Sequence, residues 1–477
     1  MQVLQVASEC APFIKTGGLA DVVGALPAAL SGEGIETAVM LPAYRALQPL
    51  VAKGIVVAAF KDLPGGAARV VRVAEKGITL FLLDAPDLFD RASGPYLDES
   101  GADWPDNPVR FGTLADAAAR VALGAVKGFA PKVLHAHDWQ AGLAPVYLEM
   151  AGKKRPGTVT TIHNIAFQGR CNRKLVATLG LDPEMFTPEG LEYHGDLSFL
   201  KGGLVYSDRI TTVSPTYARE ILTPEFGMGL EGVLRHRSDV LSGLLNGIDT
   251  EAWDPARDPA LVQTYDAKSL TAKAKNRRAV AEKLGLKRSK GPLFCVISRL
   301  SEQKGLDALL DALPHLVSKG AQLALLGSGD KGLEAGYRAA VERFPGQVGA
   351  FIGYDEDFSH LLQGASDAIL IPSRFEPCGL TQLYGLRYGT LPVVARTGGL
   401  ADTVIDANPV GLDAKAATGF VFHGVTEDAI KAVIDRVVEA FADKRLWRNM
   451  QRAAMRQSVG WERSAKGYAD LYRAIAV

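Results

Sequence analysis

The stretch KTGGLADVV occupies residues 15–23, behind the first apolar run of the chain, and a near-copy, RTGGLADTV, occupies residues 396–404. Paired glycines let backbone N–H groups come close to a ligand, and a helix that begins directly after them turns its positive end toward an anion. Each half of the chain carries one copy behind a cation, Lys15 or Arg396. We therefore predict a negatively charged substrate held between two α/β domains. The alternative is a chance similarity between two turns that open helices.

Composition limits the classes of protein to consider. A chain of 477 residues exceeds what one hydrophobic core usually holds, so two domains are expected. Lys plus Arg equals Asp plus Glu, 53 against 53, so no global field recruits nucleic acid or anionic lipid. An anionic substrate must then be held by a few local cations.

Targeting signals are not evident in the sequence. The N-terminus lacks the basic start of a signal peptide, and no uncharged apolar segment is long enough to span a bilayer. The four cysteines are scattered, which fits a reducing compartment better than a disulfide framework. We expect a cytoplasmic protein that binds neither a membrane nor nucleic acid.

Short β-rich runs alternate with Ala/Leu-rich stretches at helical spacing, which is the pattern of parallel sheets covered by helices. We therefore predict an α/β fold with one such sheet in each half of the chain. The predicted strands are Val3–Ala7, Thr37–Leu41, Thr79–Leu83, Val133–Ala136, Val159–Ile162 and Arg209–Val213 in the first half, and Leu293–Ser298, Gln322–Leu326, Val348–Ile352, Ala368–Ile371, Leu391–Ala395 and Gly419–Phe422 in the second.

The join between the domains is predicted near Leu245–Asp249, where an apolar pair gives way to a polar stretch. The first domain then covers residues 1–245 and the second residues 246–458. Beyond Val459 the chain reads as one helix, from Glu462 to Ile475. Its periodicity does not decide which domain the helix packs against.

Polar residues or glycines directly follow the predicted carboxyl ends of many strands, the edge at which open parallel sheets bind ligands. Random placement would spread them over both edges, so this bias predicts a single cleft that both domains face. The residues concerned are Lys15, Gly17, Gly18, His135, His137, Asp138, His163 and Asn164 in the first half, and Arg299, Gly327–Gly329, Tyr354 and Ser373–Glu376 in the second.

Arg299 and Lys304 lie on one strand-to-helix turn, in the sequence SRLSEQKG at residues 298–305. Arginine supplies a planar fork of donors and lysine a compact charge, a pairing suited to a diphosphate. The position at a strand end, followed by a glycine, favours this function over a pair of solvated surface cations.

The segment EPCGLT, residues 376–381, is a second candidate phosphate site. Pro377 suits the first turn of a helix, because its missing N–H would have gone unpaired there. The N–H groups of the residues that follow are then predicted to bind a phosphate: Cys378, Gly379, Leu380 and Thr381. Glu376 can accept hydrogen bonds from sugar hydroxyls, or it can serve only as a carboxylate that stabilises the helix start.

Other site chemistries are disfavoured. The spacing of His135, His137, Asp138 and His163 matches no zinc signature, so no metal site is predicted, and a buried histidine without chemistry is plausible for His135. No Gly-x-Ser-x-Gly elbow follows a strand, which argues against a Ser–His–Asp hydrolase. The chain also lacks the glycine-rich loops of P-loop and dinucleotide-binding folds.

Taken together, these residues make the chain resemble the bacterial glycogen synthases and the related plant starch synthases. The matching segments run in the family's order from residue 15 to residue 400, and the region around Trp461 also fits. They are KTGGLAD (15–21), HAHDWQ (135–140), TIHN (161–164), NGID (246–249), SRL (298–300), QKG (303–305), EPCGLT (376–381) and RTGGL (396–400).

The resemblance implies a GT-B glycosyltransferase fold, with two Rossmann-like domains facing a central cleft and a C-terminal helix, within residues 459–477, that returns to the first domain. It implies an enzyme without metal or cofactor. The reaction implied is transfer of glucose from ADP-glucose to the non-reducing end of an α-1,4-glucan such as glycogen, with retention of the anomeric configuration.

The resemblance also implies roles for residues, by position. The catalytic set comprises Asp138, His163 and Asn246 at the reacting centre, Arg299 and Lys304 at the diphosphate, and Glu376 at the glucose. The substrate-binding set comprises Lys15, Gly17 and Gly18 at the donor, Asp21 toward the reacting centre or the acceptor, Tyr354 stacked on adenine, and Cys378, Gly379, Leu380 and Thr381 around the glucose and the distal phosphate.

One position departs from the wider GT-B pattern. Many GT-B enzymes carry a second Glu eight positions after the first, where it contacts the nucleotide ribose. This chain has Tyr384 at that position. Bacterial glycogen synthases also depart from the wider pattern there. This supports the narrower assignment and leaves ribose binding without an obvious carboxylate. The residues do not identify the donor base, so a transferase that uses a UDP-sugar and a catalytically silent glucan-binding protein stay as alternatives.

Overall fold

The computed structural model describes residues 1–152 and 154–477, which fold into two compact units. The first unit contains residues 1–246 and 461–477, and the second contains residues 247–460. Each unit is built on a largely parallel sheet with helices packed against it, which confirms the predicted α/β class. Within the described part of the chain, no helix combines the length and the apolar character needed to cross a bilayer.

The first unit contains a large mixed sheet and a small antiparallel one. Its strands are β1 (Gln2–Val6), β2 (Glu36–Pro42), β3 (Ile55–Leu63), β4 (Gly66–Glu75), β5 (Ile78–Asp84), β6 (Val133–His137), β7 (Gly157–Ile162), β8 (Arg170–Asn172), β9 (Glu192–Tyr193), β10 (Asp196–Ser198), β11 (Arg209–Thr212) and β12 (Leu241–Gly243). The large sheet has the order β12-β11-β7-β6-β1-β2-β5-β4-β3 and is parallel from β12 to β5, whereas β4 and β3 are antiparallel. The small sheet has the order β8-β10-β9.

The position of β1 decides where this sheet can bind a ligand. β1 lies between β2 and β6, with parallel pairing on both sides, so the strand order reverses between β1 and β6. In open α/β sheets the carboxyl ends of the strands at such a switch point form the ligand crevice. The loop that carries Lys15 follows β1, and Asp138 directly follows β6.

The helices of the first unit alternate with its strands. They are α1 (Gly18–Ser31), α2 (Gln48–Lys53), α3 (Pro86–Phe89), α4 (Asn107–Arg120), α5 (Asp138–Ala141), α6 (Ala144–Met150), α7 (Leu175–Thr178), α8 (Phe199–Tyr206), α9 (Pro215–Glu220) and α10 (Glu231–His236). Short 3-10 segments occur at Arg45–Leu47, Pro183–Met185 and Ser238–Val240, and a π-helical turn at Val121–Ala125.

The second unit is built on a parallel sheet with the order β15-β14-β13-β16-β17-β18. Its strands are β13 (Leu293–Ile297), β14 (Gln322–Gly327), β15 (Val348–Ile352), β16 (Ala368–Ile371), β17 (Leu391–Ala395) and β18 (Phe420–Phe422). Its helices are α11 (Lys273–Leu284), α12 (Leu306–Ser318), α13 (Lys331–Arg343), α14 (Glu356–Ala365), α15 (Thr381–Tyr388), α16 (Gly398–Thr403), α17 (Pro409–Asp413), α18 (Glu427–Ala442) and α19 (Lys444–Met455), with 3-10 turns at Leu270–Ala272 and Glu302–Lys304. The switch point lies between β13 and β16, which are followed by Arg299 and by Ser373–Glu376.

The last helix, α20 (Glu462–Ile475), has the bounds that the sequence predicts and belongs to the first unit. Its buried face, which includes Tyr468 and Tyr472, packs with strand residues of the large sheet and with α1. The apolar residues of this cluster are Val3, Val22, Leu26, Leu30, Ile35, Val133, Val159, Trp461 and Ala469. The helix therefore completes the layer that covers one face of the sheet.

The predicted strands are all present, with ends that differ by at most two residues. Their nearly continuous burial, as in β7, fits parallel strands covered on both faces. The predictions missed the hairpin β3–β4, the small sheet and β12. The hairpin had a signal, since Gly66 turns the chain between two Val/Ala-rich runs with a φ of +99°, but its edge strand is largely exposed and has no clear alternation.

Candidate active site

A buried carboxylate, Glu9, organises the turn that carries Lys15. Its Oε2 accepts the backbone N–H groups of Thr16 and Gly17, the latter at 3.2 Å, and its Oε1 accepts the Thr16 hydroxyl at 2.6 Å. The phenol of Tyr96 also donates to Oε1. α1 begins at Gly18 with Gly17 as its N-cap, as predicted for a helix that opens after paired glycines. Glu9 thus holds the loop against the start of α1.

The same turn brings together the residues of the first unit that are predicted to bind the substrate. The Nζ atom of Lys15 lies 3.0 Å from Oδ1 of Asp21 in the first turn of α1, and both side chains are half-buried. A Cβ atom on Gly17 would meet nothing within 4 Å, so the space beside this residue is open. Because its N–H is engaged by Glu9, Gly17 offers a substrate room rather than a donor.

Asp138 lies at the carboxyl end of β6 in a left-handed conformation, with a φ of +54°, as the first residue of α5. Its carboxylate is buried, and Oδ1 accepts the backbone N–H of His163 at 2.7 Å and that of Asn164 at 3.4 Å. Burial raises the pKa of Asp138 to about 7. The carboxylate thereby ties the end of β6 to the end of β7.

The ring of His163 pairs with a buried histidine of the neighbouring strand. His163 Nε2 lies 2.9 Å from Nδ1 of His137. Desolvation lowers the pKa of His163 to about 3 and that of His137 well below its usual value. Both rings are therefore neutral near pH 7, so His163 can act through a hydrogen bond but supplies no charge.

His135 is the histidine for which the sequence left a purely structural role as an alternative. It is fully buried, with Nδ1 2.7 Å from the hydroxyl of Tyr472 and Nε2 2.5 Å from Oγ1 of Thr161. Burial lowers its pKa to about 3. Asn246, at the end of the first unit, is also buried, and its Oδ1 has no hydrogen-bond partner among the described residues.

In the second unit, Lys304 and Glu376 form an ion pair. Nζ lies 2.5 Å from Oε2, and the hydroxyl of Ser373 donates to the same oxygen at 3.0 Å. The backbone allows this pairing because Gly305 passes close to Pro372, where a Cβ would lie 1.9 Å from the carbonyl oxygen. With its φ of +64°, Gly305 also adopts a conformation that favours glycine.

Arg299 and Tyr354 are the exposed members of the predicted set in the second unit. Arg299 follows β13, and in the part of the chain that the structure describes no carboxylate forms an ion pair with its guanidinium. Tyr354 follows β15, is 74% exposed, and donates its hydroxyl to Glu356. Both side chains can therefore reach a ligand at the carboxyl edge of this sheet.

The predicted place of Pro377 in a first helical turn is wrong, because α15 begins only at Thr381. The segment before it is a loop in which Gly379 has a φ of +70° and the Gln382 side chain donates to the carbonyls of Cys378 and Gly379, each at 3.0 Å. A proline favours an extended preceding residue as much as a helix start, and here the loop geometry prevails. The helix N-terminus thus lies at Leu380 and Thr381 alone.

The glycines of the second stretch have different contacts from those of the first. It opens a helix, α16, as predicted. However, a Cβ on Gly398 would lie 1.9 Å from the carbonyl oxygen of Glu376, and the N–H of Gly399 donates to the carbonyls of Glu376 and Pro377 at 3.2 and 3.1 Å. These glycines make room for the Glu376 loop and hold it in place. The expectation that both stretches meet an anion in the same way is therefore wrong for Gly399.

Tyr384 takes part in an aromatic stack. The ring of Trp253 lies between Tyr384 and His360, with centroid distances of 3.6 Å on both sides. Nδ1 of His360 lies 2.8 Å from Oδ2 of Asp258. The residue that replaces the second Glu of many GT-B enzymes is thus a packing residue of the second unit.

Sequence reasoning missed Glu9 and Tyr96, and it placed Ser373 at the strand end without predicting its contact with Glu376. Glu9 had a signal, since it is a carboxylate in the apolar segment that follows the first strand, at the sheet edge where ligands bind. Tyr96 had none, because its partner Glu9 lies far away in the sequence. No group of three or more His, Cys, Asp or Glu residues arranged to hold a metal occurs among residues 1–152 and 154–477. The absence of a metal from the reaction stays a prediction.

Comparison with known proteins matches both halves of the chain to glycosyltransferase families. Residues 2–236 match the starch synthase catalytic domain, and residues 278–455 match the glycosyl transferases group 1. The glycogen synthase of Roseobacter denitrificans is 60% identical over 473 residues, which cover 99% of both chains. The glycogen synthase of Rhodopseudomonas palustris strain BisB18 is 51% identical over 99% of this chain and 97% of its own.

Solved structures show the same relationship. The catalytic domain of starch synthase IV from Arabidopsis thaliana, bound to ADP and acarbose, matches with a TM-score of 0.88 and 31% identity over 99% of both chains. The sucrose-phosphate synthase of Thermosynechococcus elongatus, at 16% identity and a TM-score of 0.62, shares the fold. By sequence and by structure, this chain belongs to the glycogen and starch synthase family of glycosyltransferases, with the two Rossmann-like domains of the GT-B fold.

Proposed function

We propose that this protein elongates glycogen by transferring glucose from ADP-glucose to the non-reducing end of an α-1,4-glucan, with retention of configuration and release of ADP. The observation that carries the proposal is the similarity over nearly the whole chain to relatives named glycogen synthase. The ADP in the starch synthase IV structure supports the choice of donor.

In the proposed step, the bond between C1 of glucose and the distal phosphate oxygen breaks, and its electron pair leaves with ADP. The acceptor hydroxyl forms the new C1–O bond on the same face of the sugar. Its proton passes to the departing phosphate, so no carboxylate nucleophile is required. Catalysis then depends on positioning and on stabilisation of the charge that develops on ADP.

The leaving group is assigned to the second unit. Arg299 and Lys304 bind the diphosphate, and Tyr354 stacks on adenine. Glu376 accepts hydrogen bonds from the glucose, and the Cys378–Thr381 segment surrounds the glucose and the distal phosphate. The ion pair of Lys304 with Glu376 supports this assignment, because it keeps a cation and an acceptor side by side in one mostly buried place.

The sugar and the acceptor are assigned to the first unit. Lys15, Gly17 and Gly18 contribute to donor binding, and Asp21 lies toward the reacting centre or the acceptor. Asp138, His163 and Asn246 line the reacting centre. The support is the convergence of the Lys15 loop and Asp138 on the switch point of the large sheet.

The test is ADP release that depends on both added glucan and added donor. We expect ADP release with ADP-glucose and glycogen, much less UDP release with UDP-glucose, and ADP release that is about ten- to a hundred-fold slower or more from a Lys304→Ala variant under the same conditions. Turnover with UDP-glucose that exceeds turnover with ADP-glucose would select the alternative transferase. Glucan binding without any transfer from either donor would select the non-catalytic alternative.

A further inference from the structure

The pairing of His137 with His163 leaves one buried nitrogen without a partner. His137 is fully buried, and its Nδ1 lies 2.9 Å from Nε2 of His163. Its other nitrogen, Nε2, is buried and has no hydrogen-bond partner among the described residues. A neutral imidazole carries one N–H donor and one lone pair, so the proton assignment of the pair follows from this unpaired atom.

Two arrangements are consistent with one hydrogen bond between the rings. In the first, Nδ1–H of His137 donates to Nε2 of His163, and the buried Nε2 of His137 is a lone pair. In the second, Nε2–H of His163 donates to His137, and the buried Nε2 of His137 must carry a proton with no acceptor. Buried donors without partners are rare and costly, so the first arrangement is favoured.

The ring of His137 is also prevented from turning to another partner. It packs against the ring of His135, with a centroid distance of 4.0 Å and an interplanar angle of 35°. His135 is itself bound on both sides, by the hydroxyl of Tyr472 from α20 and by Oγ1 of Thr161 from β7. These contacts therefore hold the His137 ring in the orientation that places Nδ1 next to His163.

We propose that His137 is a positioning residue that holds neutral His163 in the tautomer with its proton on Nδ1. His163 then acts as a hydrogen-bond donor through Nδ1, toward an oxygen of the transferred sugar, and not as a base or a cation. His163 Nδ1 has no hydrogen-bond partner among the residues that the structure describes, and the ring is partly exposed. The part of this inference that concerns the sugar rests on the proposed function.

The decisive measurement is the tautomer of both rings in the full-length protein without substrate. In protein labelled with ¹⁵N-histidine, two-bond and three-bond ¹H–¹⁵N correlations distinguish a protonated from an unprotonated ring nitrogen. We expect both His137 and His163 to carry the proton on Nδ1, with signals assigned by their loss in His137→Asn and His163→Gln. Protons on Nε2 of both rings would overturn the proposal, whatever the activity.

Activity tests the consequence. His137→Leu removes the donor, whereas His137→Asn retains an amide N–H near the position of Nδ1. We expect His137→Leu to lower kcat by about ten-fold with little change in the KM for the donor, and His137→Asn to recover most of that loss. Equal activity of the Leu and Asn variants, with unchanged thermal unfolding, would show that the donor has no role. His236→Leu, at an exposed position of the same unit, is the matched control.

Failure of the proposed function and failure of the tautomer assignment give different results. If the protein transfers no glucose but both rings carry the proton on Nδ1, the proposed function fails and the tautomer assignment stands. If transfer occurs and His163 carries its proton on Nε2, only the role of His137 is overturned.

Discussion

Nζ of Lys304 lies 2.5 Å from Oε2 of Glu376, and the two side chains are only 16% and 10% exposed. The residues are far apart in the sequence, yet the turn at Gly305 and the loop after β16 bring them together. Removing one partner of a mostly buried pair leaves the other charge uncompensated, which costs more than the pair contributes. Each residue therefore helps to hold the side chain of the other in place.

The ion pair predicts a non-additive pattern of substitutions. We expect Lys304→Ala to lower kcat/KM for ADP-glucose about ten- to a hundred-fold or more, since a charge-assisted hydrogen bond contributes about 1.5–3 kcal/mol. Glu376→Ala should have an effect of similar size, and the double variant should lose less than the product of the two. Steady-state kinetics of the four proteins measures the coupling. Lys331→Ala removes a lysine that is 88% exposed and pairs with Glu334, and it should change nothing.

The hydrogen bonds that Glu9 accepts from the Lys15 turn predict that its substitution lowers activity, although Glu9 itself is not assigned to the reacting centre. Glu9→Ala should free the turn at Thr16 and Gly17 and raise the KM for the donor about ten-fold, because the hydrogen bonds to three groups of this turn are lost. Glu9→Gln keeps an acceptor and should lose less. Thr16→Val, which deletes only the hydroxyl, serves as the comparison. Donor KM values that are the same in all three variants and the wild type would refute a positioning role for Glu9.

The raised pKa of Asp138 predicts a pH dependence of stability. Its pKa in the folded state is about 7, against an ordinary value of 3.8. Between these values the folded state binds the proton more strongly, so the contribution of this group to the free energy of unfolding falls as the pH rises from about 4 to about 7. In Asp138→Asn, the asparagine tolerates the left-handed backbone conformation and does not titrate, so the variant lacks this pH-dependent contribution to stability. Urea unfolding of both proteins at pH 5 and pH 8 should show the wild type losing stability relative to the variant.

The exposed ring of Tyr354 predicts a change in donor binding. If the ring stacks on adenine, Tyr354→Ala should raise the KM for ADP-glucose about ten-fold, since a base stacked on an aromatic ring contributes about 1–3 kcal/mol. Tyr354→Phe keeps the ring and should bind the donor nearly as well. Calorimetric titration with ADP separates this effect from changes in kcat. Equal ADP affinity of the Ala variant and the wild type would exclude stacking.

The lowered pKa of Lys273 predicts that stability depends on pH with the opposite sign to that expected for Asp138. The buried ammonium donates to uncharged oxygens of Tyr265, Gln363, Tyr388 and Thr390, and desolvation lowers its pKa from 10.5 to about 7. Between these values the unfolded chain holds a proton that the folded protein has released, so stability rises with pH. Relative to Lys273→Met, the wild type should gain stability between pH 7 and pH 10. Lys275→Met, at an exposed site of the same helix, should parallel the wild type.

Part of the site could be predicted because the chemistry of a parallel sheet is local to its strand ends. The runs that form β1, β6, β13 and β16 are apolar enough to be recognised, and the polar residues after them fall at the two switch points. The near-copy at residues 396–404 shows the limit of this reasoning. Its sequence predicts the helix start, but only the fold shows that its glycines contact the backbone of Glu376 and Cys378.

The sequence by itself determined most strands of the two large sheets, the helix at Glu462–Ile475 and the edge of each sheet where polar side chains gather, because periodicity and strand-end polarity are properties of short segments. The tertiary structure alone decided that α20 packs on the sheet of the first unit, that Lys304 pairs with Glu376, and that Glu9 holds the Lys15 turn. Each of these contacts joins different segments of the chain. A segment's own pattern specifies which face it buries, but the partner that covers this face is specified only when the whole chain packs.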